Sequence, residues 1–137
     1  MGVSIADTLE HVRIFADVDR EQLAALAKHA QEIEVPAGAD LTHEGRYEGF
    51  VYIVVSGMVA VIRDGRTVDT IGPGDIVGEI AAIDGGPRTA TARAVDDSRL
   101  IVISQVHFND ALDASPALRE IVMRSMEGRL ARIDAED

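Results

Sequence analysis

The sequence contains no cysteine and no tryptophan, and only 4% of its 137 residues are aromatic. The absence of cysteine excludes disulfides, thiolate nucleophiles, iron–sulfur clusters and zinc sites built on thiolates. No stretch approaches the roughly 20 consecutive apolar residues that cross a bilayer. The amino end, from Met1 to Leu9, has neither a basic leader nor an apolar run. We therefore expect a cytoplasmic protein with no membrane insertion.

Basic residues are also scarce, with 13 Lys and Arg against 24 Asp and Glu and a net charge of −11. A surface of this charge repels phosphate backbones, so we expect no nucleic-acid partner. Small aliphatic side chains are abundant instead, and hydrophobic residues make up 47% of the chain. This length and composition predict a single domain over residues 1–137 with one packed core.

Apolar residues at helical spacing occur near the amino end. They predict a short helix from Ile5 to Val12 and a second one from Asp19 to Ala30. Asp19 is predicted as the N-cap of the second helix, with Gln22 completing a capping box. The amino-terminal helices therefore occupy about residues 5–30.

The same spacing returns after residue 104 and predicts carboxyl-terminal helices over about residues 105–133. The first runs through Leu112, and the second begins with Ser115 as N-cap and Pro116 in its first turn. The apolar stripe of this last helix consists of Leu118, Ile121, Val122, Met126, Leu130 and Ile133.

The middle of the chain, about residues 31–104, has short apolar runs broken by glycines, which is typical of short strands. Asp64-Gly65 is a strong signal for a two-residue hairpin. An all-β middle of this kind closes its edges by rolling up. The predicted fold is mostly β with flanking helices, a double-stranded β-helix or jelly-roll-like β-roll. The predicted strands are Phe50–Ser56, Met58–Arg63, Arg66–Ile71, Thr89–Ala94 and Leu100–Ser104.

One stretch departs from the simple strand pattern. Gly78 and Glu79 open a short turn, two alanines add little bulk, and Gly85-Gly86-Pro87 leads to a lone arginine, Arg88. A helical turn that begins at Glu79 would leave its first backbone amides unpaired at the positive end of the helix dipole. Arg88 would add paired donors that match phosphate oxygens. This combination predicts a phosphate site.

Glu79 cannot bind the phosphate itself, because both groups are anionic. A carboxylate beside a phosphate site is better explained as an acceptor for a neighbouring pair of hydroxyls, so the predicted ligand has a phosphate and a ribose. Taken singly, Glu79 is explained as a carboxylate at a helix start and Arg88 as a surface arginine. Their combination, with small residues between them, favours a binding site.

This segment resembles the phosphate-binding cassette of cyclic-nucleotide-binding domains. Gly78–Ala81 is similar to the family's Gly-Glu-Leu-Ala, and Pro87–Thr91 is similar to its Pro-Arg-(Ala/Ser/Thr)-Ala-Thr. Phe50–Val61 resembles the family's strand–glycine–strand, and Gly72–Asp75 resembles the turn before the cassette. The resemblance covers about residues 9–133. It implies a ligand-sensing module that binds a cyclic nucleotide and performs no reaction.

The resemblance also implies that Gly78 belongs to the ligand-binding site and that other residues have individual roles there. Arg88 would hold the exocyclic phosphate oxygens, and Glu79 would accept a hydrogen bond from the ribose 2′-hydroxyl. The carboxyl-terminal helix would act as a lid that relays occupancy, with Leu130 or Ile133 on the purine. The backbone amides that would assist belong to Ile80, Ala81, Thr89 and Ala90. The side chains that would pack against the purine are Val55, Val68 and Ile71.

Thr89 bears on the choice of base. In the family, a threonine or serine after the arginine can hydrogen-bond to the amino group of a syn guanine, yet domains with threonine there also prefer cAMP. We therefore predict cAMP as the ligand, with cGMP permitted. In either case the nucleotide is a ligand, and no cofactor is expected.

The sequence does not show the residue patterns that metal binding or catalysis requires. The four histidines are scattered without metal-binding spacing, and neither a serine elbow nor paired carboxylates stand out, so we expect neither a metal nor an enzyme.

Two alternatives stay open. One is a structural or protein-interaction β-roll whose terminal stripe docks a partner, and the other is the sensor fragment of a larger regulator, channel or transporter. The stripe could also join two copies in a homodimer, and the output partner stays unknown.

Overall fold

The computed structural model describes residues 4–136, without the side chains of residue 84 and residues 133–136. Within that part of the chain, eight strands lie between amino-terminal and carboxyl-terminal helices. The helices are α1 (Ile5–Glu10), the 3-10 helix η1 (Arg13–Phe15), α2 (Arg20–Ala27), α3 (Glu79–Asp84), α4 (Gln105–Ala114) and α5 (Pro116–Glu136). The strands are β1 (Ala30–Val35), β2 (Asp40–Thr42), β3 (Phe50–Ser56), β4 (Val59–Arg63), β5 (Arg66–Ile71), β6 (Ile76–Val77), β7 (Thr91–Ala94) and β8 (Ser98–Ser104).

The strands of the described chain form two antiparallel sheets of four. One sheet has the order β1-β8-β3-β6, and the other has the order β2-β7-β4-β5. Except for the hairpin pair β4 and β5, neighbours in each sheet are distant in sequence, so the chain passes repeatedly between the sheets, as it does in a jelly roll. The predicted fold class, a mostly β roll with flanking helices, is confirmed.

Strand alternation divides the apolar side chains between two cores. On β3, Val54 faces the interior of the roll, whereas Val51 and Ile53 face the helices. The core between the first sheet and the helices also takes Phe15 and Phe108, both buried. The core inside the roll, which we call the roll core, consists of Leu41, Val54, Val59, Val61, Val68, Ile71, Val77, Ala92 and Leu100.

Two predicted local signals are confirmed. Asp64 (φ +53°) and Gly65 (φ +79°) form the tight hairpin between β4 and β5, because both central residues adopt the positive φ that such a turn requires. At the start of α5, the Leu118 amide donates to Ser115 Oγ at 3.1 Å, so Ser115 caps the helix in which Pro116 is the first residue.

Other local predictions are wrong at their boundaries. The second helix ends at Ala27, and Ala30 already pairs with β8. Asp19 is its N-cap but makes no side-chain capping hydrogen bond; the capping box of the amino end joins Ser4 and Asp7. Strands β1, β2 and β6 are short or mostly polar and were not expected from the pattern. Within residues 4–136, no helix is both long enough and apolar enough to cross a membrane.

Candidate functional site

Gly78 turns the chain sharply from β6 into α3. Its φ of +96° is a left-handed conformation that glycine adopts without strain, and a Cβ there would lie 2.6 Å from Nη1 of Arg88. The first hydrogen bond of α3 runs from the Ala82 amide to the Gly78 carbonyl at 3.2 Å. The amides of residues 79–81 precede that bond and lie at the positive end of the helix.

Arg88 is buried, with 4% of its surface exposed, and its guanidinium points back under Gly78. Nη1 donates to the Gly78 carbonyl at 3.2 Å, and Nη2 donates to the Phe50 carbonyl. Nε has no hydrogen-bond partner among the described residues and lies 3.5 Å from Oε1 of Glu48. Burial lowers the pKa of Arg88 and the charge of Glu48 opposes this shift, but an arginine side chain remains protonated. The site therefore contains a buried cation that an anion would stabilise.

Glu48 is the carboxylate that faces Arg88 from the loop before β3. It accepts hydrogen bonds from the backbone amide and Nδ1 of His43, each at 2.8 Å. Burial raises the pKa of Glu48, but the His43 hydrogen bonds and the charges of His43 and Arg88 outweigh burial, so the net pKa lies below its ordinary value of 4.5. His43 thus fixes the carboxylate that orients Arg88.

We expect the Glu48→Gln variant to lose less stability in acid than the wild type. The folded state holds the pKa of Glu48 below the unfolded value, so its contribution is fully present above the unfolded pKa and is lost as pH falls through the folded pKa. Urea unfolding from about pH 7 to about pH 3 measures the free energy of unfolding across this window. Glu120→Gln, at an exposed pair with Arg124, is the control. An acid-induced loss as large in Glu48→Gln as in the wild type would contradict the assigned contacts.

Glu79, the first residue of α3, is completely buried and forms an ion pair with α5. Its Oε1 accepts a hydrogen bond from Nη1 of Arg129, which is 5% exposed, and its Oε2 has no hydrogen-bond partner among the described side chains and backbone. Nε of Arg129 lies 3.9 Å from Oδ2 of Asp69 on β5, and Arg132 contacts the same oxygen at 3.1 Å. Glu79 and Asp69 therefore hold α5 against α3 and β5.

A cavity of about 40 Å³ lies between these groups and the interior of the roll. Its polar side comes from the turn around Gly78, from Arg88 and from Arg129, and its apolar side comes from β4, β6 and β7. The residues that line it are Thr42, Val61, Val77, Gly78, Ile80, Ala81, Arg88, Thr89, Ala90, Ala92 and Arg129. We call this space the cassette cavity.

The structure brings most of the predicted site residues together. Those that line the cassette cavity are Gly78, Ile80, Ala81, Arg88, Thr89 and Ala90, and Glu79 reaches it through the contact with Arg129. Val68 and Ile71 are buried in the roll core beside Val61, Val77 and Ala92, which line the cavity. Their roles toward a ligand stay predictions.

Val55 is a wrong prediction. On β3 it shares a face with Val51 and Ile53, and it packs toward the helices and an outer groove with Val12 and Pro73 instead of the roll core. Because side chains alternate along a strand, the position that faces the interior is Val54, one residue earlier. The prediction was therefore one residue out of register.

The candidate purine contacts on α5 also differ from expectation. Leu130 is 36% exposed and does not line the cassette cavity, and its contact with a purine stays a prediction. The side chain of Ile133 lies outside the described residues. Among the described side chains of α5, Arg129 lines the cavity, and the sequence analysis did not identify it.

A signal for Arg129 was present in the sequence. It lies seven residues after Val122 and three after Met126, both buried, so it occupies the apolar face of α5. A charged residue in an apolar stripe needs a buried partner. Glu48 carried no comparable signal, because only the loop geometry places it beside Arg88. Among the described residues no group of three or more His, Cys, Asp or Glu is arranged to hold a metal ion.

Comparison with known proteins agrees with this geometry. The family model for the cyclic nucleotide-binding domain matches residues 32–115, more than half of the chain. The chain belongs to the cyclic nucleotide-binding domain family. The prediction of the family is thus confirmed.

Individual relatives cover nearly the whole chain. An NTE family protein of Mycobacterium bovis is 36% identical over 126 residues, which are 91% of this chain and 22% of that protein. A CRP-like cAMP-activated global transcriptional regulator of Mycobacterium tuberculosis is 30% identical over 131 residues, 92% of this chain and 58% of the regulator. The catabolite activator protein of Thermus thermophilus superposes with a TM-score of 0.76 at 26% identity, over 90% of this chain and 60% of that one. The chain therefore spans less than two thirds of each of these relatives.

Proposed function

We propose that the chain binds a cyclic nucleotide, cAMP in preference to cGMP, in an enlarged form of the cassette cavity. The observation that carries the proposal is Arg88, a buried guanidinium whose Nε has no hydrogen-bond partner among the described residues and lies 3.5 Å from Oε1 of Glu48. A cyclic phosphate diester would neutralise this charge and accept from the amides at the start of α3. Family membership and the cAMP-activated relative support this ligand class.

Glu79 is the proposed acceptor for the ribose 2′-hydroxyl. The carboxylate is fully buried, and its Oε2 has no hydrogen-bond partner among the described residues. An unsatisfied buried acceptor costs free energy, which a hydroxyl donor would recover. The separation of roles follows from charge: Arg88 attracts the anion, and Glu79 binds the neutral sugar.

The roll core supplies the proposed apolar surface for the purine. Val61, Val77 and Ala92 line the cavity, and Val68 and Ile71 pack behind them. Thr89 also lines it and permits a hydrogen bond to a syn guanine. With no second guanine-specific contact identified, we favour cAMP over cGMP.

The proposed output is a change in the position of α5, without any reaction. The helix is tied to the site through the contact between Glu79 and Arg129. A ligand that alters this contact, and that binds with different affinity when α5 is in each of two positions, would shift the population between those positions. In a longer protein, such as the relatives that this chain spans only in part, α5 would relay occupancy to a further domain or to a second copy. The output partner is unassigned.

The ligand is tested by calorimetric titration of the purified chain with cAMP, cGMP and 5′-AMP. We expect binding of cAMP, weaker binding of cGMP and much weaker binding of 5′-AMP, because the cyclic diester carries one negative charge, whereas the open monophosphate carries nearly two and has a different shape. A thermal shift with each ligand is the parallel readout, since a bound ligand stabilises the folded state.

The outcomes of this titration separate the alternatives. Tighter binding of cGMP would reverse the base preference while leaving the cavity in place. Tighter binding of 5′-AMP would contradict a site shaped for the cyclic diester. No heat and no thermal shift with any of the three nucleotides at millimolar concentration would favour a roll that serves as a structural or protein-interaction domain.

A further inference from the structure

A buried hydroxyl on β2 holds the strand that follows Arg88. Thr42 is 3% exposed and lines the cassette cavity. Its Oγ1 donates to the Ala90 carbonyl and accepts from the Ala92 amide, each at 3.0 Å. These two backbone groups lie on either side of Thr91, so one side chain spans the start of β7. The hydroxyl has a single proton, and that proton is used in this contact.

A β-bulge aims Thr42 into the roll. Two residues of β2, Asp40 and Thr42, pair with two consecutive residues of β7, so Leu41 between them is the extra one. In a regular strand Leu41 and Thr42 would face opposite sides of the sheet, but both are buried here. The bulge thus places a hydroxyl at the point where the pairing between β2 and β7 shifts, and the hydroxyl supplies hydrogen bonds to β7 there.

The loop after β2 holds the backbone of Arg88. The amide of Arg88 donates to the Arg46 carbonyl, and the carbonyl of Arg88 accepts from the Gly45 amide, each at 2.8 Å. A trans peptide is planar, with its carbonyl and its amide pointing in opposite directions. The carbonyl that is held by Gly45 therefore turns the Thr89 amide away from Gly45, and the backbone on the amino side of Thr89 is fixed.

Thr89 and Ala90 lie between these two held points. Thr42 fixes the Ala90 carbonyl on one side, and the loop after β2 fixes Arg88 on the other. Among the described backbone and side chains, no acceptor binds the amides of Thr89 and Ala90, and both residues line the cassette cavity. Two amides whose orientation is fixed in advance bind an anion without the cost of ordering them.

We infer that Thr42 is a positioning residue of the ligand site, whose hydroxyl holds the Thr89 and Ala90 amides in the geometry that binds the ligand phosphate. This inference rests on the proposed function and adds to it a residue that is distant in sequence from the cassette. Thr42 acts through the backbone of β7 and needs no contact with the ligand. Its removal therefore raises the Kd of the folded protein, in addition to any effect on stability.

The test compares Thr42→Val and Thr42→Ser with the wild type. Valine keeps the shape of threonine and removes the hydroxyl, whereas serine keeps the hydroxyl and removes the methyl group. Calorimetric titration with cAMP gives the Kd of each folded protein. We expect the Kd of Thr42→Val to rise about tenfold, the scale of one hydrogen bond, and the Kd of Thr42→Ser to stay within about twofold of the wild-type value.

Amide hydrogen exchange followed by NMR is the second readout. Exchange at Ala92 should be faster in Thr42→Val and should return to the wild-type rate in Thr42→Ser, because only the hydroxyl accepts from this amide. Circular dichroism checks the folding of each variant. Thr42→Ala replaces Thr42→Val if valine prevents folding, and the same rise in Kd is expected, because a water in that space is held less firmly than a side chain.

Thr91→Val is the matched control. The hydroxyl of Thr91 also joins the two segments, since its Oγ1 accepts from the Glu44 amide at 3.0 Å, but Thr91 does not line the cassette cavity. The control therefore removes a hydroxyl that binds a backbone amide, and it should leave the Kd for cAMP unchanged. A rise in Kd as large in Thr91→Val as in Thr42→Val would overturn the specific role of Thr42.

The results distinguish this inference from the proposed function. A wild type that binds no cyclic nucleotide would overturn the proposed function and the role of Thr42 with it. Wild-type binding and an unchanged Kd in Thr42→Val, whatever its thermal midpoint, would show that the hydroxyl only stabilises the roll and would overturn the role of Thr42 alone. An equal rise in Kd in Thr42→Ser would also overturn it, because the hydroxyl is still present in that variant.

Discussion

Replacing Arg88 by alanine is expected to weaken cyclic nucleotide binding by about ten- to a hundredfold, the equivalent of about 1.5–3 kcal/mol for a lost hydrogen bond to a charged group. The substitution removes the guanidinium that lines the cassette cavity and leaves the ligand phosphate with backbone amides only. Calorimetric titration with cAMP measures the change. Thermal denaturation of the ligand-free variant checks that the roll still folds.

Arg93→Ala is the matched control for this experiment. Arg93 is exposed on β7 and pairs with Asp40 at 2.7 Å, so its removal changes the net charge equally without touching the cavity. The Kd of Arg93→Ala should equal that of the wild type. Equal affinities of Arg88→Ala and the wild type would remove Arg88 from the site, and equal losses in both variants would reduce its role to long-range attraction.

Replacing Gly57 by alanine is expected to lower the free energy of unfolding by about 2–5 kcal/mol, which combines backbone strain with overpacking. Gly57 joins β3 to β4 with φ +101°, and a Cβ there would lie 2.1 Å from Oγ and 2.8 Å from Cα of Ser98. The contact with Cα is the decisive one, because β8 cannot move away without losing its pairing with β3. Urea unfolding measures the loss.

Gly65→Ala separates strain from contact. Gly65 also has a positive φ of +79°, but no atom lies within 4 Å of the place a Cβ would occupy. Its alanine variant should therefore lose only the cost of strain, about 1–3 kcal/mol, and less than Gly57→Ala loses. Similar losses in the two variants would show that the approach of β8 to Gly57 does not limit the packing.

Residues that act through their neighbours in sequence were predictable. The hairpin at Asp64-Gly65 and the cap at Ser115 depend on the conformational preferences of a few consecutive residues, and both are found. The apolar stripe of α5 is likewise local, and Leu118 and Val122 are buried as it requires. Strand β1 escaped prediction because its sequence is mostly polar and its position depends on pairing with β8.

The cassette shows the same division within one site. Gly78, Glu79 and Arg88 were predicted together, because a glycine turn, a carboxylate and an arginine at short separation form one segment of chain. Val55 was predicted to pack against the purine but faces the helices instead. Side chains alternate along a strand, so a shift of one residue places the side chain on the opposite face of the sheet.

The sequence alone was sufficient to predict the β-roll with flanking helices and the short segment that carries Glu79 and Arg88, because periodicity, turn residues and motif spacing are properties of neighbouring residues. Only the tertiary structure showed that Glu48 lies beside Arg88 and that Arg129 of α5 lines the cavity and pairs with Glu79. These contacts join residues 40 and 50 positions apart in the chain, and they exist only because folding brings a loop and the last helix to the same buried charges.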